Sequence, residues 1–119
     1  MLKLFLMSSL TGFIVLLVTA ITILFPPKEI NSLYGYRTKS SMKNQQTWSE
    51  ANSYSSKLML LVSVIAIIVS GIIVYVFKTE KAILISVVIT LLLIVSVIPI
   101  TEWHLKKKFG SEAKATEPK

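Results

Sequence analysis

Three long stretches of the chain contain no Asp, Glu, Lys, Arg or His. They run from Leu4 to Phe25, from Leu58 to Phe77 and from Ala82 to Ile100. At a rise of about 1.5 Å per residue, a helix of about 20 residues spans about 30 Å, the thickness of a bilayer's hydrocarbon core. No stretch alternates polar with apolar residues as a barrel strand does. The sequence therefore predicts an all-α polytopic membrane protein with three transmembrane helices.

Composition agrees with one membrane module rather than a soluble domain. Of the 119 residues 53% are hydrophobic and 16% charged, and a water-soluble core would show amphipathic faces instead of uncharged runs. We predict spans at about 4–25, 58–77 and 82–100, with a polar segment at 26–57 and a tail at 101–119. Cysteine is absent, which excludes a disulfide framework and a thiolate nucleophile.

The distribution of positive charge predicts the orientation. Three spans place the N-terminus and the turn after the second span on one side, and the polar segment and the tail on the other. Three of the 13 cations fall on the first side and ten on the second, and the first three are Lys3, Lys78 and Lys81. The positive-inside rule then places the polar segment and the C-terminus in the cytoplasm and the N-terminus outside. Because topology accounts for the net charge of +7, we expect no nucleic-acid partner.

Small residues recur four positions apart within each span, which allows close helix packing in lipid. The pairs are Ser8 with Gly12, Ala66 with Ser70, and Ser86 with Thr90. They fit packing of the three helices on each other or on a second copy of the chain. Pro99 is expected to bend or end the third helix.

The polar segment is expected to leave the membrane at Pro26-Pro27, turn at Tyr34-Gly35-Tyr36, and then become helical. Trp48, Ala51, Ser55 and Leu58 lie on one helical face, and the spacing of Thr47 and Glu50 suggests that a capping box starts this helix. We predict an interfacial amphipathic stretch on the cytoplasmic surface that leads into the second span.

Arg37 stands out because the other twelve basic residues are lysines. A guanidinium offers a planar fork for a carboxylate or a phosphate and stacks on aromatic rings. Glu50, Glu102, a lipid phosphate and a group on a protein ligand are the partners considered. We expect Arg37 to fix the structure of the segment in preference to contacting a ligand.

The polar segment resembles the signature of the SdpI family of bacterial membrane proteins. The matching residues are Pro27, Ile30-Asn31, Tyr34-Gly35-Tyr36-Arg37-Thr38, Ser41, Asn44, Trp48 and Ala51-Asn52. The match lies between the first and second spans, as in that family. Together with the hairpin of the second and third spans, the resemblance covers nearly the whole chain.

The resemblance implies a function in immunity. Members of the family are immunity proteins against a secreted toxic peptide, and the best-known one also holds a cytoplasmic repressor at the bacterial cell membrane. The expected partners are therefore the bilayer, a toxic peptide, a repressor and, from the packing motifs, a second copy of the chain. The residues expected to shape the site are Asn31, Tyr34, Gly35, Tyr36, Arg37, Thr38, Asn44, Trp48 and Asn52. The alternative is a scaffold that recruits a cytoplasmic regulator or lipid without any toxin.

Catalysis and metal binding are the weaker interpretations. Small three-span lipid kinases have a similar size, but phosphoryl transfer requires carboxylates around Mg²⁺, and no glycine-rich phosphate cradle is present. His104 is the single histidine, and Glu102 two residues earlier points to nearly the opposite side of a helix. We therefore expect no enzyme activity, no catalytic residue, no cofactor and no metal site.

Overall fold

The computed structural model describes residues 1–116, with side chains described as far as Gly110. It contains helices α1 (Leu2–Leu24), α2 (Gln45–Phe77) and α3 (Lys81–Thr116) and, within that range, no strand. Each helix is long and apolar enough to cross a membrane. The predicted all-α fold with three transmembrane helices is confirmed. Residues 117–119 of the predicted tail lie outside the described residues.

The helices form an up-down-up bundle whose interior is lined by small residues. The Ser70 hydroxyl of α2 donates to the Ser8 carbonyl of α1 at 3.2 Å. A Cβ added to Gly12 would lie 2.9 Å from Cγ1 of Ile67, so the absent side chain permits this close approach. All six members of the predicted small-residue pairs are buried: Ser8, Gly12, Ala66, Ser70, Ser86 and Thr90. The motifs are thus used within the chain.

Large apolar side chains cover the outside of the bundle. Leu17, Leu61 and Leu92 are more than half exposed, although a soluble protein would bury side chains of this kind. Such a surface suits a lipid environment, because lipid tails are as apolar as leucine.

Asn44, not Thr47, caps α2. The Asn44 side chain accepts from the Thr47 backbone N–H at 2.9 Å, and the Thr47 hydroxyl accepts from the Asn44 N–H at 3.1 Å. The capping box predicted from Thr47 and Glu50 is therefore wrong by three residues. The preference of Asn for the extended N-cap conformation explains the shift, because Thr47 then lies in the first turn and closes the box.

Residues 25–44 form the connector between α1 and α2, and they contain no helix or strand. The helical part of the predicted polar segment belongs to α2, whose N-terminal turns precede the uncharged run. On these turns Trp48, Ala51 and Ser55 are buried, as the predicted face requires. Placement of this stretch at the membrane surface stays a prediction.

Pro99 does not end α3, which continues without a break to Thr116. Proline has no N–H and leaves one helical carbonyl without its usual donor, yet the neighbouring turns maintain the helix. The extension beyond Ile100 brings Glu102 and His104 up to the connector and to the first turns of α2.

Candidate functional site

Asn52 holds the backbone of the connector at Tyr36. Its side-chain oxygen accepts from the Tyr36 N–H at 2.6 Å, while its amide nitrogen donates to the Trp48 carbonyl at 3.0 Å and to the Tyr36 carbonyl at 3.4 Å. The side chain is buried, so these bonds satisfy polar groups that water does not reach. One amide thereby fixes the turn to α2.

Gly35 is required by its backbone angle and by space. Its φ is +107°, a region that side chains rarely allow. An added Cβ would lie 2.6 Å from the Asn52 side-chain oxygen and 2.7 Å from Cγ of Pro27. The glycine therefore lets the connector approach Asn52 closely enough for the bond to Tyr36.

Trp48 anchors the start of the connector. The side chain is fully buried, and its indole N–H donates to the Pro27 carbonyl at 2.6 Å. An indole brings a large apolar surface and one donor, and both are used here. Trp48 thus attaches the exit from α1 to α2, and Gln45 adds a bond to the next carbonyl, that of Lys28.

Tyr36 reaches across to α3. Its hydroxyl donates to a Glu102 carboxylate oxygen at 2.8 Å and lies 3.2 Å from the Ile98 carbonyl oxygen. Burial, followed by the adjacent Glu102 carboxylate, raises the pKa of the Tyr36 hydroxyl above its ordinary value. Tyr36 therefore stays protonated and joins the connector, α2 and α3.

Glu102 follows the uncharged run that ends at Ile100 and so lies outside the apolar span. Burial alone would raise the pKa of its carboxyl, but the hydroxyls of Thr38, Tyr36 and Ser40 and the charge on Lys43 together lower it below the ordinary value. The carboxylate is therefore ionised at neutral pH and is held by donors from the connector.

Two local turns shape the rest of the connector. Thr38 and Ser41 exchange bonds, with the Thr38 N–H donating to the Ser41 hydroxyl at 2.8 Å and the Ser41 N–H to the Thr38 hydroxyl at 3.1 Å. The Asn31 side chain accepts from the Leu33 and Tyr34 N–H groups, an Asx turn. The Tyr34 hydroxyl donates to the Phe25 carbonyl at the end of α1.

Arg37 is exposed, and its guanidinium donates to the Ser32 carbonyl. Among residues 1–110 it forms no ion pair, because Glu50 pairs with His104 and Lys108 while Glu102 accepts from Tyr36. The two carboxylates considered as Arg37 partners are thus engaged elsewhere. Its contact stays within the connector.

The structure brings four predicted residues into one cluster. Gly35, Tyr36, Trp48 and Asn52 meet around Pro27. The remaining five lie around this cluster: Thr38 in the Ser41 turn, Asn44 at the helix cap, and Asn31, Tyr34 and Arg37 in the outer part of the connector.

Sequence reasoning missed Glu102 as the acceptor for Tyr36, and it missed the pairing of Glu50 with His104. Both contacts join parts of the chain that are far apart, and neither glutamate lies in a local pattern that indicates its partner. His104 also stacks on Tyr54, with ring centroids 3.8 Å apart and planes within 3°. The sequence offers one weak signal for the contact. Glu50 and Tyr54 are four residues apart and lie on one face of α2, and His104 and Lys108 are four residues apart and lie on one face of α3.

Glu50 precedes the uncharged run of α2 and also lies outside the apolar span. Its carboxylate is 2.8 Å from the His104 Nε2 and 3.0 Å from the Lys108 Nζ. Hydrogen bonding to His104, then to Lys108, lowers the pKa of the Glu50 carboxyl despite its partial burial. This cluster joins the first turns of α2 to the last described turns of α3.

A groove of about 380 Å³ lies beside the four-residue cluster. It runs between α1 and α3, with α2 and the turn at Tyr34–Tyr36 forming its other walls. Most of its lining is apolar, and Val18, Val95 and Ile98 at its edge are about half exposed. A groove with these walls suits an apolar chain or helix that presents a few hydrogen-bonding groups.

The fold and the site together define a small helical membrane protein in which a polar connector is attached to the ends of two spanning helices. The chain belongs to the SdpI/YfhL protein family, whose model matches residues 28–101. The resemblance noted in the sequence is confirmed.

One curated relative is a protein described as the uncharacterized protein YfhL of Bacillus subtilis (strain 168). It is 54% identical over 56 residues, which cover 46% of this chain and 51% of the relative. The match thus spans about half of the relative's length. No solved structure matches the chain.

Proposed function

We propose that this chain is a bacterial membrane immunity protein that gives resistance to a secreted toxic peptide by binding it. Family membership supports the proposal. The observation that carries it is the groove between α1 and α3, because one of its walls is Tyr34-Gly35-Tyr36, the turn that carries the resemblance to the family.

A membrane-active peptide would reach this groove sideways from the bilayer. Val18 of α1 and Val95 of α3 flank the groove, while Tyr36 and Asn52 line its inner part. The apolar walls would bury the peptide's hydrophobic face, and Thr19 and Thr22 offer hydroxyls to its polar groups. Binding without catalysis would lower the concentration of free peptide in the membrane.

In this proposal the connector lies on the cytoplasmic side. The bundle brings Lys3 to the same end as Lys78 and Lys81, which flank the α2–α3 turn. The other ten of the 13 cations belong to the connector, the N-terminal part of α2 and the chain beyond Ile100. The positive-inside rule then orients the molecule with the N-terminus outside.

Survival of a sensitive strain challenged with a secreted membrane-active peptide tests the proposal. Val95→Trp fills the groove from its α3 wall, and Leu92→Trp adds the same bulk one turn away at an exposed position that does not line the groove. The proposal predicts protection by the parent chain and by Leu92→Trp, and loss of protection by Val95→Trp at equal membrane abundance. Equal protection by both variants would show that the groove does not bind the peptide.

A second proposed function, recruitment of a cytoplasmic regulator, is favoured by the apolar exposure of the connector. Leu33 is 90% exposed, and Ile30 and Met42 are also exposed. A photo-crosslinking residue at Leu33 would capture a soluble protein in the regulator case. In the immunity case the same residue at Val95 would capture the peptide.

A further inference from the structure

A second groove, of about 660 Å³, is lined by Glu102 and by none of the residues of the cluster around Pro27. One wall is the end of the connector and the first turn of α2, from Ser40 to Thr47. The other is the part of α3 from Glu102 to Gly110. The immunity proposal does not use this groove.

The charged groups of its lining are two lysines and one glutamate, a net charge of +1. Lys43 on the connector and Lys106 on α3 both border it. Among residues 1–110 the contacts within 4 Å between a carboxylate and a basic side chain are those of Glu50 with His104 and with Lys108, so neither groove lysine has a carboxylate within 4 Å there. Glu102 also lines the groove, but one of its oxygens already accepts from Tyr36.

The groove begins at the depth of the headgroup layer of a bilayer and extends past its outer edge. The uncharged run of α3 ends at Ile100, Trp103 lies about 4.5 Å further along the helix, and the Lys106 backbone lies about 9 Å further, from where its long side chain can reach back to the headgroups. The headgroup region extends roughly 5–8 Å beyond each side of the hydrocarbon core. Trp103, which is 61% exposed, and Phe109 line the same groove, and aromatic rings of this kind lie at the membrane surface.

We infer that this groove binds the headgroup of an anionic phospholipid from the inner leaflet. Lys43 and Lys106 contact the phosphate from opposite walls, and Trp103 packs against the glycerol region. Gln46, which also lines the groove, supplies an amide donor for the polar headgroup. A free phosphate would use the lysines but not the aromatic wall, and for this reason the lipid is the ligand proposed.

The test uses the full chain reconstituted in phosphatidylcholine nanodiscs with increasing fractions of phosphatidylglycerol brominated on its acyl chains. Bromine quenches tryptophan fluorescence at short range. Because Trp48 is fully buried and Trp103 is exposed, quenching reports lipid next to the groove. The parent chain should reach half-maximal quenching at a lower fraction of brominated phosphatidylglycerol than of brominated phosphatidylcholine.

Lys43→Gln and Lys106→Gln should each raise the fraction of brominated phosphatidylglycerol needed for half-maximal quenching about fivefold. This is the change in affinity expected when one lysine at an anionic lipid surface loses its charge. Lys28→Gln and Lys57→Gln remove the same charge near a different cavity and serve as matched controls, with less than a twofold change expected. Equal changes in all four variants would reduce the effect to general surface attraction and overturn the proposal. Equal quenching by the two brominated lipids would also overturn it.

Added inorganic phosphate separates the two sources of the anion. The proposal predicts that phosphate at millimolar concentration leaves the quenching by phosphatidylglycerol unchanged. Reversal of the quenching by phosphate, to the same extent as by unlabelled phosphatidylglycerol, would assign the groove to a soluble anion and contradict the lipid.

Discussion

At the scale of single residues, the connector depends on groups that each satisfy several requirements. Asn52 accepts from the Tyr36 N–H and donates to two carbonyls, and Trp48 combines full burial with one bond to Pro27. Gly35 makes the approach possible. Removing the Asn52 amide or the Trp48 indole leaves a buried polar atom without a partner, which costs more than the bond itself contributed.

Gly35→Ala should therefore lower the free energy of unfolding by about 2 kcal/mol, because the left-handed backbone and the contacts with Asn52 and Pro27 both oppose a side chain. Gly110→Ala is the matched control, since its Cβ would lie 3.8 Å from the nearest side-chain atom, Cγ of Lys106. Denaturant titration in detergent, followed by tryptophan fluorescence, measures both variants. A Gly35→Ala variant as stable as the parent would contradict the geometry of the turn.

At the scale of helices, the sequence predicts the number of long apolar helices well and their ends poorly. Uncharged runs specify where a helix can cross the hydrocarbon core. The second and third runs lie inside α2 and α3, and the first lies inside α1 except for its last residue, Phe25. The start of α2 at Gln45 depends on the choice between two overlapping capping patterns, at Asn44 and at Thr47, and the stronger N-cap preference of Asn favours the first.

The features of the site likewise differ in how far the sequence predicts them. The Asx turn at Asn31 and the turn at Gly35 follow from local residue types. The contact of Tyr36 with Glu102 depends on how α3 packs against the connector, so the sequence alone does not reveal it.

The approach of α1 to α2 gives a prediction at this scale. Gly12→Ala should destabilise the bundle by about 1 kcal/mol relative to Gly71→Ala, because overpacking forces Ile67 to move. At Gly71 the added Cβ would lie 3.4 Å from the Phe5 ring, an ordinary contact. Thermal unfolding of both variants in one detergent provides the comparison, and a Gly12→Ala variant at least as stable as Gly71→Ala would refute close packing at this point.

The link between α2 and α3 at Glu50 predicts a dependence on pH. The folded state lowers the pKa of this carboxyl below its ordinary value, so its stabilisation is fully present above the unfolded pKa and is lost as the pH falls through the folded pKa. Glu50→Gln should reduce stability at pH 7 by about 1 kcal/mol and weaken the loss of stability in acid.

Glu80→Gln is the control for that measurement, because Glu80 lies in the turn at the opposite end of the bundle and forms no ion pair among residues 1–110. Melting temperatures from pH 7 to pH 3 distinguish the two variants. If Glu50→Gln behaved like Glu80→Gln across this range, the ion pairs would have no measurable effect on stability.

At the scale of the whole molecule, the three helices place their polar groups at two different ends. One end contains the N-terminus and the α2–α3 turn. The other contains the connector, the Glu50 cluster and both grooves. Peptide immunity and headgroup binding both depend on the second end facing the cytoplasmic leaflet.

Labelling of single cysteines in intact cells measures this orientation directly, because the chain contains no cysteine of its own. Leu33→Cys places a thiol on the connector and Thr79→Cys places one in the α2–α3 turn, both at exposed positions. A maleimide that does not cross membranes should label the Thr79→Cys variant in intact cells and the Leu33→Cys variant only after permeabilisation. Labelling of Leu33→Cys in intact cells, with protection of Thr79→Cys, would contradict the proposed orientation and the site that depends on it.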